Sequence, residues 1–199
     1  MQIKNRKNIS IILFLSLFVF NLNLSAEEFV ITAKEILINN ENKILVGKGS
    51  VQAIDSEGKR IYANKITYEK SREFLLAEGN VKITDIEGNI LKTDRATYDK
   101  INELIISYDN TELLLKEGYK LITKDVSYDT KEMVLSSNEN SILSDADGNI
   151  VETNMFQYQI KNNLFSSIGK IKIITIGIQT ATSTANFSVR PNAAEKSLK

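Results

Sequence analysis

Residues 61–89 read IYANKITYEKSREFLLAEGNVKITDIEGN, and most of the chain is variations on this stretch. It holds three alternating apolar runs, Ile61–Tyr68, Phe74–Ala77 and Val81–Ile83. Polar clusters at Glu69–Glu73 and Glu78–Asn80 separate them, and Asp85–Asn89 closes the block. Short alternating runs between Gly, Asn, Asp and Ser read as strands joined by tight turns. The block recurs every 30 residues. Tyrosines end the first run at Tyr68, Tyr98, Tyr128 and Tyr158, and the closing turn carries Gly58, Gly88, Gly118 and Gly148. Gly49, Gly79 and Gly169 mark a third phase, where Asp109 and Glu139 stand in the intermediate copies.

The apolar positions keep the same register. Leu45, Leu75, Ile105, Leu135 and Phe165 share one phase, and Ala53, Ile83, Leu113, Leu143 and Ile173 share another. Val51, Val81, Ile66, Ala96 and Phe156 fall on the same side of the alternation. A two-residue period held over five copies places one face of every strand in a common apolar interior. The copies begin near Phe29, Ile61, Leu91, Leu121 and Val151, and the last ends near Ile174. Helical spacing fits nowhere after residue 26.

Upstream, Lys4, Arg6 and Lys7 precede an apolar run from Ile9 to Phe20 and a small-residue end at Ser25-Ala26. This is the layout of a secretory leader, and it predicts export with cleavage between Ala26 and Glu27. About a dozen apolar residues are short for the ~20 of a membrane-spanning helix. Residues 27–199 then carry 22 basic and 25 acidic side chains, a net charge of −3. No basic stripe suggests nucleic acid. The chain has no cysteine, which excludes a disulfide scaffold and a lipid-attached lipoprotein. Past Ile174 the repeat fails: Ile178 stands where a glycine is due, and a Thr/Ala/Ser stretch leads to Pro191. Residues 175–199 read as a polar, disordered tail, or as the cut edge of a longer protein.

Tandem β repeats give a β-helix, a propeller or a roll. Thirty residues are too few for a propeller blade, and short reversing turns argue against one-way coils. The expectation is an all-β fold, an antiparallel two-sheet roll of about three strands per repeat, with an open apolar interior. The alternation breaks at Asn64-Lys65, where the long run should bend from one sheet to the other.

Ala63–Tyr68, Leu76–Val81 and Glu87–Asn89, repeated in register, resemble the OstA-like repeats of lipopolysaccharide transport. That family includes a periplasmic bridge protein and the N-terminal domain of an outer-membrane assembly protein. The resemblance spans about Phe29–Ile174. It implies a curved β-jellyroll whose apolar groove carries acyl chains of lipopolysaccharide, and end-to-end docking with like domains and other transport components. The lipid contacts would then be Leu45, Val51, Ile66, Tyr68, Leu75, Val81, Ile83, Ala96, Tyr98, Ile105, Leu113, Tyr128, Leu135, Leu143, Phe156 and Tyr158. An open roll also leaves two strand edges, expected at Phe29–Ile38 (Ile31, Ile36, Ile38) and at Ile171–Ile176 (Ile171, Ile173).

The residue types exclude much catalytic chemistry. There is no histidine, cysteine or tryptophan, so imidazole acid–base work, thiol nucleophiles and Cys/His metal sites are out. Asp55, Asp85 and Asp145 precede turns, where aspartate serves the backbone. Asp145–Asn149 glances at a calcium loop, but Ile150 stands where that loop needs glycine. No enzyme activity, cofactor or metal is expected. The other reading of the same pattern is an exported structural or adhesin-like β-repeat protein with a fully packed core.

Overall fold

The computed structural model describes residues 29–175, 178–184 and 187–189; the leader read over residues 1–26 lies outside them. The described chain is all β apart from two single 3₁₀ turns. In order it runs β1 (Phe29–Thr32), β2 (Glu35–Asn39), β3 (Ile44–Asp55), β4 (Arg60–Glu69), β5 (Phe74–Thr84) and β6 (Ile90–Asp99). Shorter strands follow: β7 (Leu104–Tyr108), β8 (Thr111–Leu114), β9 (Lys120–Thr123), β10 (Val126–Asp129), β11 (Val134–Ser137) and β12 (Ser141–Ser144). The last are β13 (Ile150–Thr153), β14 (Phe156–Gln159), β15 (Leu164–Ser167), β16 (Lys170–Thr175), β17 (Ile178–Thr184) and β18 (Phe187–Val189).

All pairings are antiparallel, and the ladder divides into two arms that share β3–β6. One arm continues β2–β3–β4–β5–β6–β7–β10–β11–β14–β15–β18. The other continues β1–β3–β4–β5–β6–β8–β9–β12–β13–β16–β17. Inward residues of both arms form a single core cluster. The result is a jellyroll-like roll with a bent spine and two rows of turns opposite it.

The bend recurs every 15 residues, so each 30-residue copy holds two corners and not three separate strands. In β4 the ladder to β5 shifts register between Tyr62 and Lys65, which is the corner expected at Asn64-Lys65. Glu78–Asn80, read from sequence as a turn, does not reverse the chain. It is a bulge inside β5, where pairing to β6 stops at Glu78 and resumes at Val81. Gly79 (φ 77°) and Asn80 (φ 50°) are both left-handed there. A Cβ on Gly79 would lie 2.7 Å from Asn64 Nδ2, so glycine answers both the backbone and the close approach. Asp109 (φ 63°) and Asn110 (φ 52°) adopt the same pair of conformations, since short Asn and Asp side chains tolerate that region.

The true reversals alternate between two kinds. In the closing turns, the carboxylates of Asp55, Asp85 and Asp145 each accept backbone N–H bonds at 2.8–3.0 Å from residues two and four ahead. Asp145, in the calcium-like sequence, thus makes the same turn as Asp85. The opposite reversals place Lys43, Glu73, Glu103, Met133 and Asn163 in the left-handed region at 30-residue intervals.

After β6 each long strand is replaced by two short ones. Inward positions that are Ala63, Ala77 and Val81 in the second copy become Thr93, Ser107 and Thr111, then Thr123, Ser137 and Ser141, then Thr153 and Ser167. These hydroxyls are buried along the spine and bonded to one another and to the backbone. Thr93 Oγ1 donates to the carbonyl of Tyr108 at 2.7 Å, and Ser107 Oγ accepts from the backbone N–H of Val126 at 2.9 Å. Thr111 donates to Ser107 at 2.8 Å, Ser141 donates to Thr123 at 2.9 Å, and Thr153 bonds Ser167. Where the strand breaks, side chains take up the groups that the ladder leaves unpaired.

The expected tail needs correction. Residues 178–184 and 187–189 are strands, β17 against β16 and β18 against β15. Pairing rests on backbone groups, and a Thr-rich stretch suits a strand without an apolar periodicity to announce it.

Candidate functional site

Every residue singled out for the interior faces it. On the arm through β7 and β10, Ile66, Tyr68, Leu75, Ala96, Tyr98, Ile105, Leu135, Phe156 and Tyr158 are buried, while Leu45 and Tyr128 are half-buried. On the other arm Val51, Val81, Ile83 and Leu113 are buried and Leu143 is half-buried. The arms touch through rings: Phe29 meets Tyr68 edge-on at 5.1 Å and Tyr98 at 5.9 Å. Within one arm, Phe156 and Phe165 on neighbouring strands stack at 5.5 Å.

Side chains fill most of the space between the arms. One void of about 30 Å³ lies under Lys59, Asp85 and Tyr128, and another of about 20 Å³ lies among Leu121, Leu143, Phe156 and Phe165. Each has room for a water or two. The interior is closed in the middle of the roll.

It is open at the β1–β2 end. There a hollow of about 320 Å³ is lined by Phe29, Ile31, Ile38, Leu45 and Tyr68, with Lys43 and Lys70 also on its wall. Ile36 and Ile38 occupy the phases of Ile66 and Tyr68, yet they are 43% and 65% exposed where their counterparts are 0% and 7%. Among the described residues the apolar face of the repeat therefore runs out to the edge uncovered, whereas repeat arrays that end on themselves carry a polar cap.

The two strand edges differ from expectation at one end. Ile31 is half-buried in β1 and Ile36 and Ile38 sit on β2; neither strand pairs on its outer side among the described residues. At the far end, Ile171 and Ile173 do not mark an edge. β16 is paired on both sides, to β13 and to β17, so among the described residues the edge there is β17 and β18.

A polar group that the sequence reading missed sits above the interior. Lys59 is buried, and its Nζ donates to the hydroxyl of Tyr98 at 3.0 Å, lies 4.4 Å from that ring's centre and is 3.5 Å from Asp55 Oδ2. Asp55 Oδ2 is buried without a hydrogen bond. Burial, reinforced by the Asp55 carboxylate, raises the pKa of Tyr98 well above its ordinary value, so the phenol stays protonated. Burial likewise pushes Tyr128 and Tyr158 up to about 12. The signal was present: position 59 is lysine where the later copies have Asn89, Tyr119 and Asn149. Among the described residues no group of three acids converges as a metal site. A wider hollow of about 670 Å³ lies on the outer face around Ile122, Ile142 and Asn154, where Lys172 pairs with Glu152 at 3.1 Å.

No protein-family model matches the chain, and no curated protein matches it. Among solved structures, the chain is similar to LptH, the LptA-homologous periplasmic component of the conserved lipopolysaccharide transport device from Pseudomonas aeruginosa. The TM-score is 0.50 at 14% identity, over 55% of this chain and 81% of LptH. The fold is LptA-like. The TCP10 domain of Danio rerio CPAP, solved with a STIL peptide, overlaps 79% of this chain and 99% of its own at 8% identity and a TM-score of 0.13, which carries no argument.

Proposed function

We propose that the chain carries the acyl chains of lipopolysaccharide across the periplasm inside this roll, as one member of an end-to-end assembly with other transport components. The observation that carries the reading is the uncovered apolar mouth at β1–β2, in phase with a buried interior. An acyl chain gains about 0.8 kcal/mol for each CH₂ taken out of water, so an apolar trough can carry it with no covalent chemistry. The LptA-like fold and the leader-like residues 1–26 support the same reading. Docking would occur by strand addition, at β2 and at β17–β18, whose outer sides pair with no other strand among the described residues.

The interior must part to admit a chain, because its voids are far smaller than one. Mass spectrometry of lipid extracted from protein purified from a Gram-negative periplasm should return lipid A species. Folded protein that comes out lipid-free, and stays so after incubation with lipopolysaccharide, would contradict the reading. Ile36→Lys with Ile38→Lys should lower self-association and lipid delivery while the domain stays folded, because charges on an edge oppose strand addition.

A further inference from the structure

The two rows of turns face each other across a seam, and two polar contacts cross it beside the open mouth. Lys59, at the end of the turn after β3, donates to Tyr98 on the opposite arm at 3.0 Å. Lys100, in the reversal after β6, donates to Ser56 at 3.3 Å. The equivalent turns do otherwise. Asn89 and Asn149 reach back to their own Asp85 and Asp145 at 2.7 Å each. The crossing comes from one substitution in the first copy, a long amine where a short amide would close on itself.

We propose that the roll opens along this seam to load its cargo, and that Asp55, Lys59 and Tyr98 form the clasp that keeps it shut. The inference rests on the reading of the interior as an acyl-chain site. The clasp is suited to release. A buried ion pair repays the loss of its water only when its remaining hydrogen bonds are satisfied, and Asp55 Oδ2 is not. Parting the seam returns both charges to water and uncovers the void beneath Lys59, whose other walls include Ile83, Leu91 and Ile105.

The chain has no cysteine, so the exposed Glu57 and Ile101, on opposite sides of the seam, can be replaced by a spin-labelled cysteine pair. Pulsed electron spin resonance should give one short, narrow distance in the otherwise unaltered chain. Tyr98→Phe, which deletes a single oxygen, and the double variant Asp55→Asn with Lys59→Met should both broaden it toward longer distances. Uptake of a fluorescent long-chain fatty acid should become about tenfold faster, the loss expected from one hydrogen bond to a charged group. Unchanged distances in both variants overturn the clasp. Longer distances with unchanged uptake overturn loading through the seam. Longer distances with no fatty acid bound by any form leave the clasp standing and refute the lipid-carrying reading.

Discussion

The roll up to Asp99 and the roll beyond it make the same bend in different ways. In β3–β6 the backbone runs through the corner: left-handed pairs such as Gly79-Asn80 let the ladder skip and resume, and Ala63, Ala77 and Val81 pack beneath it. From β7 onward the strand stops, and a line of buried Thr and Ser side chains stitches the break. A repeat can thus keep its period and its interior while the chemistry of its corner changes. The difference is in what holds the corner. Apolar packing tolerates small slips, whereas a satisfied hydroxyl network fixes one arrangement and is costly to leave half-made.

Four sets of variants test that comparison. The largest effect should come from charges placed in the interior of either half: Leu75→Asp in β5 and Ile105→Asp in β7 should each cost about 4 kcal/mol or unfold the domain, since each buries an unpaired carboxylate. Lys82→Asp, facing outward, should cost no more than about 1 kcal/mol. Thermal melts that rank the three alike would show that the halves do not share one interior. Next, Thr123→Val strips the hydroxyl that joins Ser137 and Ser141 and should cost about 2–3 kcal/mol, and Ser137→Ala in the same chain should add less than it does alone. Denaturant titrations showing full additivity would mean that no network exists.

The third set compares the corners themselves. Gly79→Ala should cost about 2 kcal/mol, from the left-handed backbone and the approach to Asn64. Asp109→Gly, at the equivalent corner after β6, should be neutral or stabilising by less than about 1 kcal/mol. The last set acts only in alkali and leaves stability at neutral pH unchanged. Tyr128 and Tyr158 hold their protons to about pH 12 when folded, against about 10 for a free phenol. Their contribution to stability is intact below about pH 10 and is lost as pH rises toward about 12. Tyr128→Phe and Tyr158→Phe should flatten that loss in melts taken across the range.

The interior was legible because it depends on an alternation that the sequence displays directly. Leu75, Ile105 and Leu135 are 30 apart and all face inward. The bend at Asn64-Lys65 was legible for the same reason, as a break in that alternation. The bulge at Glu78–Asn80 was not, because a glycine beside an asparagine spells a reversal and a corner alike, and only the pairing of Val81 with Thr93 separates them. The hydroxyl spine looked like ordinary strand Thr and Ser until burial set it in a row. β17 and β18 were missed because their pairing is a property of the backbone. Lys59 was missed because a lysine beside a turn glycine reads as solvated, and it is Tyr98, 39 positions away, that makes it a contact across the seam.

The proposed carrier holds lipid on the shared inward face of the roll. A photo-reactive amino acid at Leu45, in the open mouth, or at Leu75, deep in β5, should on illumination couple lipopolysaccharide to protein in cells. The same group at Lys82, on the outer face of the strand that carries Leu75, should not. Labelling at Leu45 and Leu75 with none at Lys82 is the predicted result. Equal labelling at all three positions, or labelling at Lys82 alone, would contradict the claim.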